Sequence, residues 1–168
     1  MANYMQAVIG IGSNMGDRLR NINGAVHSIS RLPKTRIVDC SHVYETQPVG
    51  YEEQATFYNA AITVETELSA AMLLGACLGI EGAFGRVRTV KNGPRVLDLD
   101  LLLYEGVKSE SFSLTLPHPR ILERAFVMVP LLDLFPTGRA PGLFFMPALH
   151  EVGTDGVVRI DEEIDLPK

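Results

Sequence analysis

Residues 85–104 read GRVRTVKNGPRVLDLDLLLY, and the reading of the second half as a strand decides the fold. Four cations, Arg86, Arg88, Lys91 and Arg95, come just before two carboxylates, Asp98 and Asp100. From residue 97 onward Leu97, Leu99, Leu101 and Leu103 alternate with Asp98, Asp100, Leu102 and Tyr104, the period of two that a strand requires. Side chains at i and i+2 leave the same face, so both carboxylates can serve one place roughly 6.5–7 Å apart along the chain. A carboxylate among apolar neighbours is costly unless paired or metal-bound, which points to a hard cation with oxygen ligands. An isolated Asp-x-Asp is more often a solvated face or half of an Asp–Arg ion pair; the adjoining cations reverse that balance.

The cations are local. The chain of 168 residues carries 15 Lys+Arg against 20 Asp+Glu, a net charge of -5, which excludes a general nucleic-acid binder. Between Gly82 and Leu97 there is no acidic residue, and arginines dominate the cluster. Arginine grips phosphate oxygens bidentately, and glycines let backbone amides approach. The longest apolar stretch, residues 68–80, falls short of the roughly 18 residues of a membrane span. The opening MANYMQAVIGIGSN has neither a basic n-region nor a long apolar h-region, so a cytoplasmic protein without membrane partners is expected. Cys40 and Cys77 stand in no metal or redox spacing. Length and apolar content predict one domain over residues 1–168.

Outward from the decisive strand, residues 5–11 read as a buried first strand, stopped by Gly12, Ser13 and Asn14. A helix follows, capped near Asp17, with Leu19, Ile22, Val26 and Ile29 at spacings of three and four. Residues 36–45 and 58–67 suit two strands, antiparallel neighbours across the loop that holds Pro48 and Gly50. Residues 69–82 read as a second helix. The sum is α+β, a ferredoxin-like βαββαβ core with an antiparallel sheet and helices on it. A C-terminal extension follows, helical over 119–135, and the loop-rich tail after Phe135 is expected as a surface cover or a dimer contact.

The glycines from Gly10 to Gly16 match neither of the common phosphate loops. The third glycine falls one place late for G-x-G-x-x-G, and no Gly-Lys-Ser or Gly-Lys-Thr follows. The segment reads as a tight strand-to-helix turn. A nucleotidyltransferase also combines a Gly-Ser turn with Asp-x-Asp, but Gly12-Ser13 and Asp98 lie far apart in this chain. A ferredoxin-like regulatory module could use the arginines for an anion, yet needs no metal-bridging pair.

Several motifs in order carry a resemblance. They are Ile9-Gly10-Ile11-Gly12-Ser13-Asn14, Thr46-Gln47-Pro48-Val49-Gly50, Phe57-Tyr58-Asn59-Ala60-Ala61, and Ile80-Glu81 with Gly85-Arg86-Val87-Arg88. Then come Gly93-Pro94-Arg95 with Asp98-Leu99-Asp100, Leu116-Pro117-His118-Pro119 and Arg124-Ala125-Phe126. Residues 7–136 thereby resemble the 6-hydroxymethyl-7,8-dihydropterin pyrophosphokinases of folate biosynthesis. The resemblance implies transfer of pyrophosphate from ATP to the pterin hydroxymethyl, with two Mg²⁺ ions bridged by Asp98 and Asp100. It places Arg86, Arg95, His118 and Arg124 on ATP phosphates, Glu81 on the nucleotide side in an orienting role, and Arg88 on the catalytic loop. Pterin would lie between Phe57 and Phe126, its polar edge read by Asn59 and by backbone at Thr46, Pro48 and Val49. ATP and the pterin are the expected partners, and a monomer is the expected state.

Departures from the family pattern are specific. Asn92 stands where some members carry a tryptophan, Phe57 where a tyrosine is frequent, and His118-Pro119 replaces a His-Tyr. The glycines and self-repelling cations of residues 82–94 predict a loop that orders when triphosphate neutralises it.

Overall fold

The structure is a computed structural model and describes residues 3–47, 53–85 and 94–167. Strand β1 (Met5–Ser13) leads to helix α1 (Arg18–Ser30), then β2 (Thr35–Cys40), β3 (Tyr44–Thr46), β4 (Phe57–Thr66), helix α2 (Ala70–Ala83) and β5 (Asp98–Tyr104). β1 lies between β4 and β5 and is antiparallel to both, while β2 and β3 pair in turn along the far side of β4. This is the expected ferredoxin-like core.

Helices α1 and α2 each start where the sequence supplies a cap. The Asp17 carboxylate accepts from the Arg20 amide at 3.1 Å, and the Ser69 hydroxyl accepts from the Met72 amide at 3.2 Å. Ile22, Val26 and Ile29 of α1 and Leu73 and Cys77 of α2 bury one stripe each. They pack on the sheet face made by Ala7, Ile9, Ile11, Ala60, Ile62, Val64, Leu99 and Leu101. Burial of this kind stabilises by roughly 1.5–3 kcal/mol per large aliphatic side chain, and it fixes the sheet's other face as the one left for a site. The free thiol of Cys77 lies in this core, and burial pushes its pKa up to about 12.

Three departures from the expected pattern have local causes. The strand expected over 36–45 is broken, because four chain steps from Cys40 to Tyr44 face three from Ile62 to Asn59. Ser41 closes the gap: its amide donates to the Ala61 carbonyl at 2.9 Å, and its hydroxyl accepts from the Ala61 amide at 2.9 Å. β1 continues through Gly12 and Ser13, paired on both sides at Gly12, so those residues are strand and the turn begins at Asn14. A bulge opposite Val8 and Ile9 inserts Leu102, so the faces swap near the end of β5. Leu103 joins Val8 in a second core, and Tyr104 returns to the first.

The extension is more ordered than expected. After the hairpin β6 (Ser109–Ser111) and β7 (Leu114–Leu116), a 3-10 turn (Ile121–Glu123) leads into helix α3 (Ala125–Leu134). A small hairpin follows, β8 (Arg139–Ala140) and β9 (Leu143–Phe144), then helix α4 (Met146–Val152) and strand β10 (Val157–Arg159). Met128, Leu131, Phe145 and Leu149 cover Val8, Leu102 and Leu103 on the face opposite α1 and α2. β10 pairs with β3, where Val157 faces Thr46. The tail is therefore a cover on the same molecule, completing both the second core and the sheet. Among the described residues no helix is long and apolar enough to cross a membrane.

Candidate active site

The second face of the sheet is only partly covered by α3 and α4. At the uncovered end lies a cleft with a cavity of about 290 Å³. Register explains its floor. Gly12 pairs with Asn59 on one side and Asp98 on the other, and Gly10 pairs with Ala61 and Asp100. Laterally paired residues share a face, so two glycines separate a polar and aromatic wall on β4 from the two carboxylates on β5. The space is needed: a Cβ at Gly12 would stand 2.9 Å from the Asn59 Oδ1.

The β4 wall holds Phe57 and Asn59. The Asn59 side-chain amide donates to the Thr46 hydroxyl at 2.7 Å, a buried bond that fixes which way the amide faces. The opposite wall comes from the extension, with Phe126 half-buried at the start of α3 while Met128 and Leu131 carry the core contacts. The Arg124 guanidinium lies 5.4 Å from the Phe126 ring centre. Arg95 bridges the cleft's two ends, 5.7 Å from the Phe57 ring centre and 3.5 Å from the Asp98 carboxylate.

His118 is held by its neighbours. Its amide donates to the Leu102 carbonyl at 2.9 Å, and its Nδ1 accepts from the Arg120 amide at 3.3 Å. The neutral ring therefore carries its proton on Nε2. Burial lowers its pKa, and Arg124 and Arg120 add to that against the opposing pull of Asp98. His118 is thus both a residue of the turn before the 3-10 segment and part of the cleft lining.

Thr46, Phe57, Asn59, Arg95, Asp98, Asp100, His118, Arg124 and Phe126, all singled out from the sequence, line this one cleft. Glu81 does not. It is 4 % exposed on α2, beneath the sheet, and its Oε2 accepts from the Leu99 amide at 2.6 Å, the peptide between the two aspartates. Pro48, Val49, Arg86 and Arg88 lie outside the described residues, as does most of the loop expected to order with triphosphate. The sequence reading missed Gly10 and Gly12 as cleft floor, and Arg120 as a lining cation. Arg120 had a signal, a cation two places beyond His118; the glycines stand in the first motif but had no role there until register was known.

Among the described residues no group of three or more His, Cys, Asp or Glu could hold a metal by itself. Asp98 and Asp100 nonetheless fit magnesium, which keeps one or two protein carboxylates and takes its other oxygens from water and substrate phosphate. Carboxylates beside a cleft ringed by Arg95, Arg120 and Arg124 suit a metal-bound polyphosphate better than a closed all-protein cage.

A family model described as 7,8-dihydro-6-hydroxymethylpterin-pyrophosphokinase matches residues 8–136. A 2-amino-4-hydroxy-6-hydroxymethyldihydropteridine pyrophosphokinase from Methylorubrum extorquens is 42% identical over 156 residues, covering 93% of this chain and 99% of the relative. A protein of the same description from Bacillus subtilis is 42% identical over 128 residues, 76% of this chain and 77% of the relative. Among solved structures, a Plasmodium falciparum HPPK-DHPS with pterin and p-hydroxybenzoate superposes with a TM-score of 0.66 at 16% identity. That match covers 90% of this chain and 43% of the solved one, which is a likeness of fold.

Proposed function

The chain belongs to the 7,8-dihydro-6-hydroxymethylpterin-pyrophosphokinase family, and from that premise we propose how its cleft serves the reaction. The enzyme transfers pyrophosphate from ATP to the hydroxymethyl group of 6-hydroxymethyl-7,8-dihydropterin. The hydroxyl oxygen forms a bond to the β-phosphorus, the bond from that phosphorus to the bridging oxygen of AMP breaks, and the hydroxyl proton is lost. AMP and the pterin diphosphate leave. Such chemistry asks for positioning and charge neutralisation more than for a protein nucleophile.

The observation that carries the assignment of roles is the glycine floor. It lets a flat heterocycle lie against the β4 wall while its hydroxymethyl faces the carboxylates. Phe57 and Phe126 supply stacking faces for the pterin, and Asn59, oriented by Thr46, reads its polar edge. The main chain at Thr46, Pro48 and Val49 completes that reading. Asp98 and Asp100 would hold two magnesium ions, which when bound neutralise the triphosphate and fix its oxygens. Arg95, Arg124 and the Nε2–H of neutral His118 are donors to phosphate, joined by Arg86, while Arg88 acts from the catalytic loop. Glu81 acts from below, holding the Leu99 peptide and with it the spacing of the two aspartates. The enzyme works as a cytoplasmic monomer, one domain to the chain.

Product analysis tests this reading. Incubation with ATP, magnesium and the reduced pterin is expected to release AMP in step with pterin diphosphate. Release of inorganic pyrophosphate instead, or ATP consumption indifferent to the pterin, would overturn it.

A further inference from the structure

We propose that Asn14 is a positioning residue that locks Arg95 and the 54–57 segment at one spacing and acts on the reaction through Arg95. The inference rests on the pyrophosphokinase reading above, in which Arg95 touches phosphate. Asn14 is the first residue beyond β1 and is 4 % exposed. Its amide donates to the Arg95 carbonyl at 3.0 Å, and its Oδ1 accepts from the Arg95 amide at 2.8 Å. The side chain here stands in for half of a strand partner, so that the main chain and side chain of Asn14 together grip Arg95 at its carbonyl and its amide.

The other edge of the same carboxamide faces the β4 wall. Its Nδ2 donates to the Gln54 Oε1 at 2.6 Å and to the Ala55 carbonyl at 3.1 Å. One flat group thus spends its acceptor on one rim and its donors on the other. Aspartate lacks the donors, alanine lacks everything, and glutamine is one methylene too long for this spacing.

A turn that merely reversed the chain would bond locally. These partners lie 40, 41 and 81 positions away. The held segment is braced a second time by Arg18, which donates to the Thr56 carbonyl at 3.0 Å and hydroxyl at 2.7 Å and stacks 3.8 Å over the Tyr58 ring. Phe57 lies between these anchors, and the Arg95 guanidinium spans from Phe57 to Asp98. Arg95 can therefore keep its place between pterin wall and carboxylates only while its main chain is held, and Asn14 holds it.

A double-mutant cycle on kcat/KM and on affinity for a nonhydrolysable ATP analogue with magnesium tests this, using wild type, Asn14→Ala, Arg95→Ala and the double variant. Asn14→Ala is expected to cost about tenfold or more in kcat/KM in the wild-type background, the scale of lost outer-shell support. In the Arg95→Ala background it should cost less than about twofold. Costs that multiply would overturn the inference while leaving Arg95 a phosphate contact. Full activity in Arg95→Ala alone would instead sink the role of Arg95 and the inference with it. Where Asn14→Ala does not fold, Asn14→Gln, whose extra methylene moves the acceptor away from the Arg95 amide, replaces it, and its cost must vanish in the Arg95→Ala background in the same way.

Discussion

Gly12 and His118 show how much of the site rests on single residues. A methyl at position 12 would stand 2.9 Å from the Asn59 Oδ1, so Gly12→Ala must turn Asn59 away from Thr46. We expect weaker pterin binding, by roughly 1–3 kcal/mol for a buried polar group left unsatisfied, with nucleotide affinity nearly unchanged. Calorimetric titration with each ligand checks this, and equal losses for both would contradict it. His118 has a folded pKa below its ordinary value, so between the two the unfolded chain binds more protons than the folded one. Stability is thus full above the unfolded pKa and falls as the pH drops through about 6.5 towards the folded value. His118→Gln should remove that part of the acid sensitivity, read as a flatter dependence of the denaturation midpoint on pH. Of the cleft residues, Thr46, Phe57, Asn59, Arg95, Asp98, Asp100, His118, Arg124 and Phe126 were legible from their motifs, whereas Arg120, one place beyond a motif, was missed. Gly10, Gly12 and Asn14 stand in the first motif, but their roles were not legible, because these lie in which strands and loops face them.

At the level of elements, β5 is the edge strand on its side of the main sheet, and its outward amide at Leu99 is met by a buried carboxylate. Glu81→Leu would leave that amide without its acceptor, which should cost roughly 1–3 kcal/mol in chemical denaturation and lower kcat through the aspartates flanking Leu99. A loss of activity without any loss of stability would contradict this arrangement. The capped helices, the strand at 98–104 and the antiparallel pairing were legible because caps and hydrophobic period are local signals. The break at Ser41 and the bulge at Leu102 were not, since a count of residues on a strand says nothing of the count on its partner.

For the molecule as a whole, the family match ends at residue 136, yet the chain beyond it completes the fold. Phe145 is fully buried against the second core. Phe145→Ala should therefore destabilise the whole domain by about 3–5 kcal/mol, with one cooperative transition seen by both far-UV and near-UV circular dichroism. An early separate transition for the tail would show it to be an independent appendage. Its proline-rich sequence hid this role, because α4 and β10 are too short to announce themselves without partners.

On the proposed reading, the arrangement brings a pterin hydroxymethyl and a metal-bound triphosphate together over the glycine floor, with Asp98 and Asp100 at the metal end. The most direct measurement is the rate of magnesium-dependent AMP release by Asp98→Asn and Asp100→Asn, with circular dichroism as a check on folding. Each is expected to fold normally and to lose more than about 100-fold in kcat, beyond what losing a ligand's outer-shell support costs. Turnover near the wild-type rate in either variant would contradict the account.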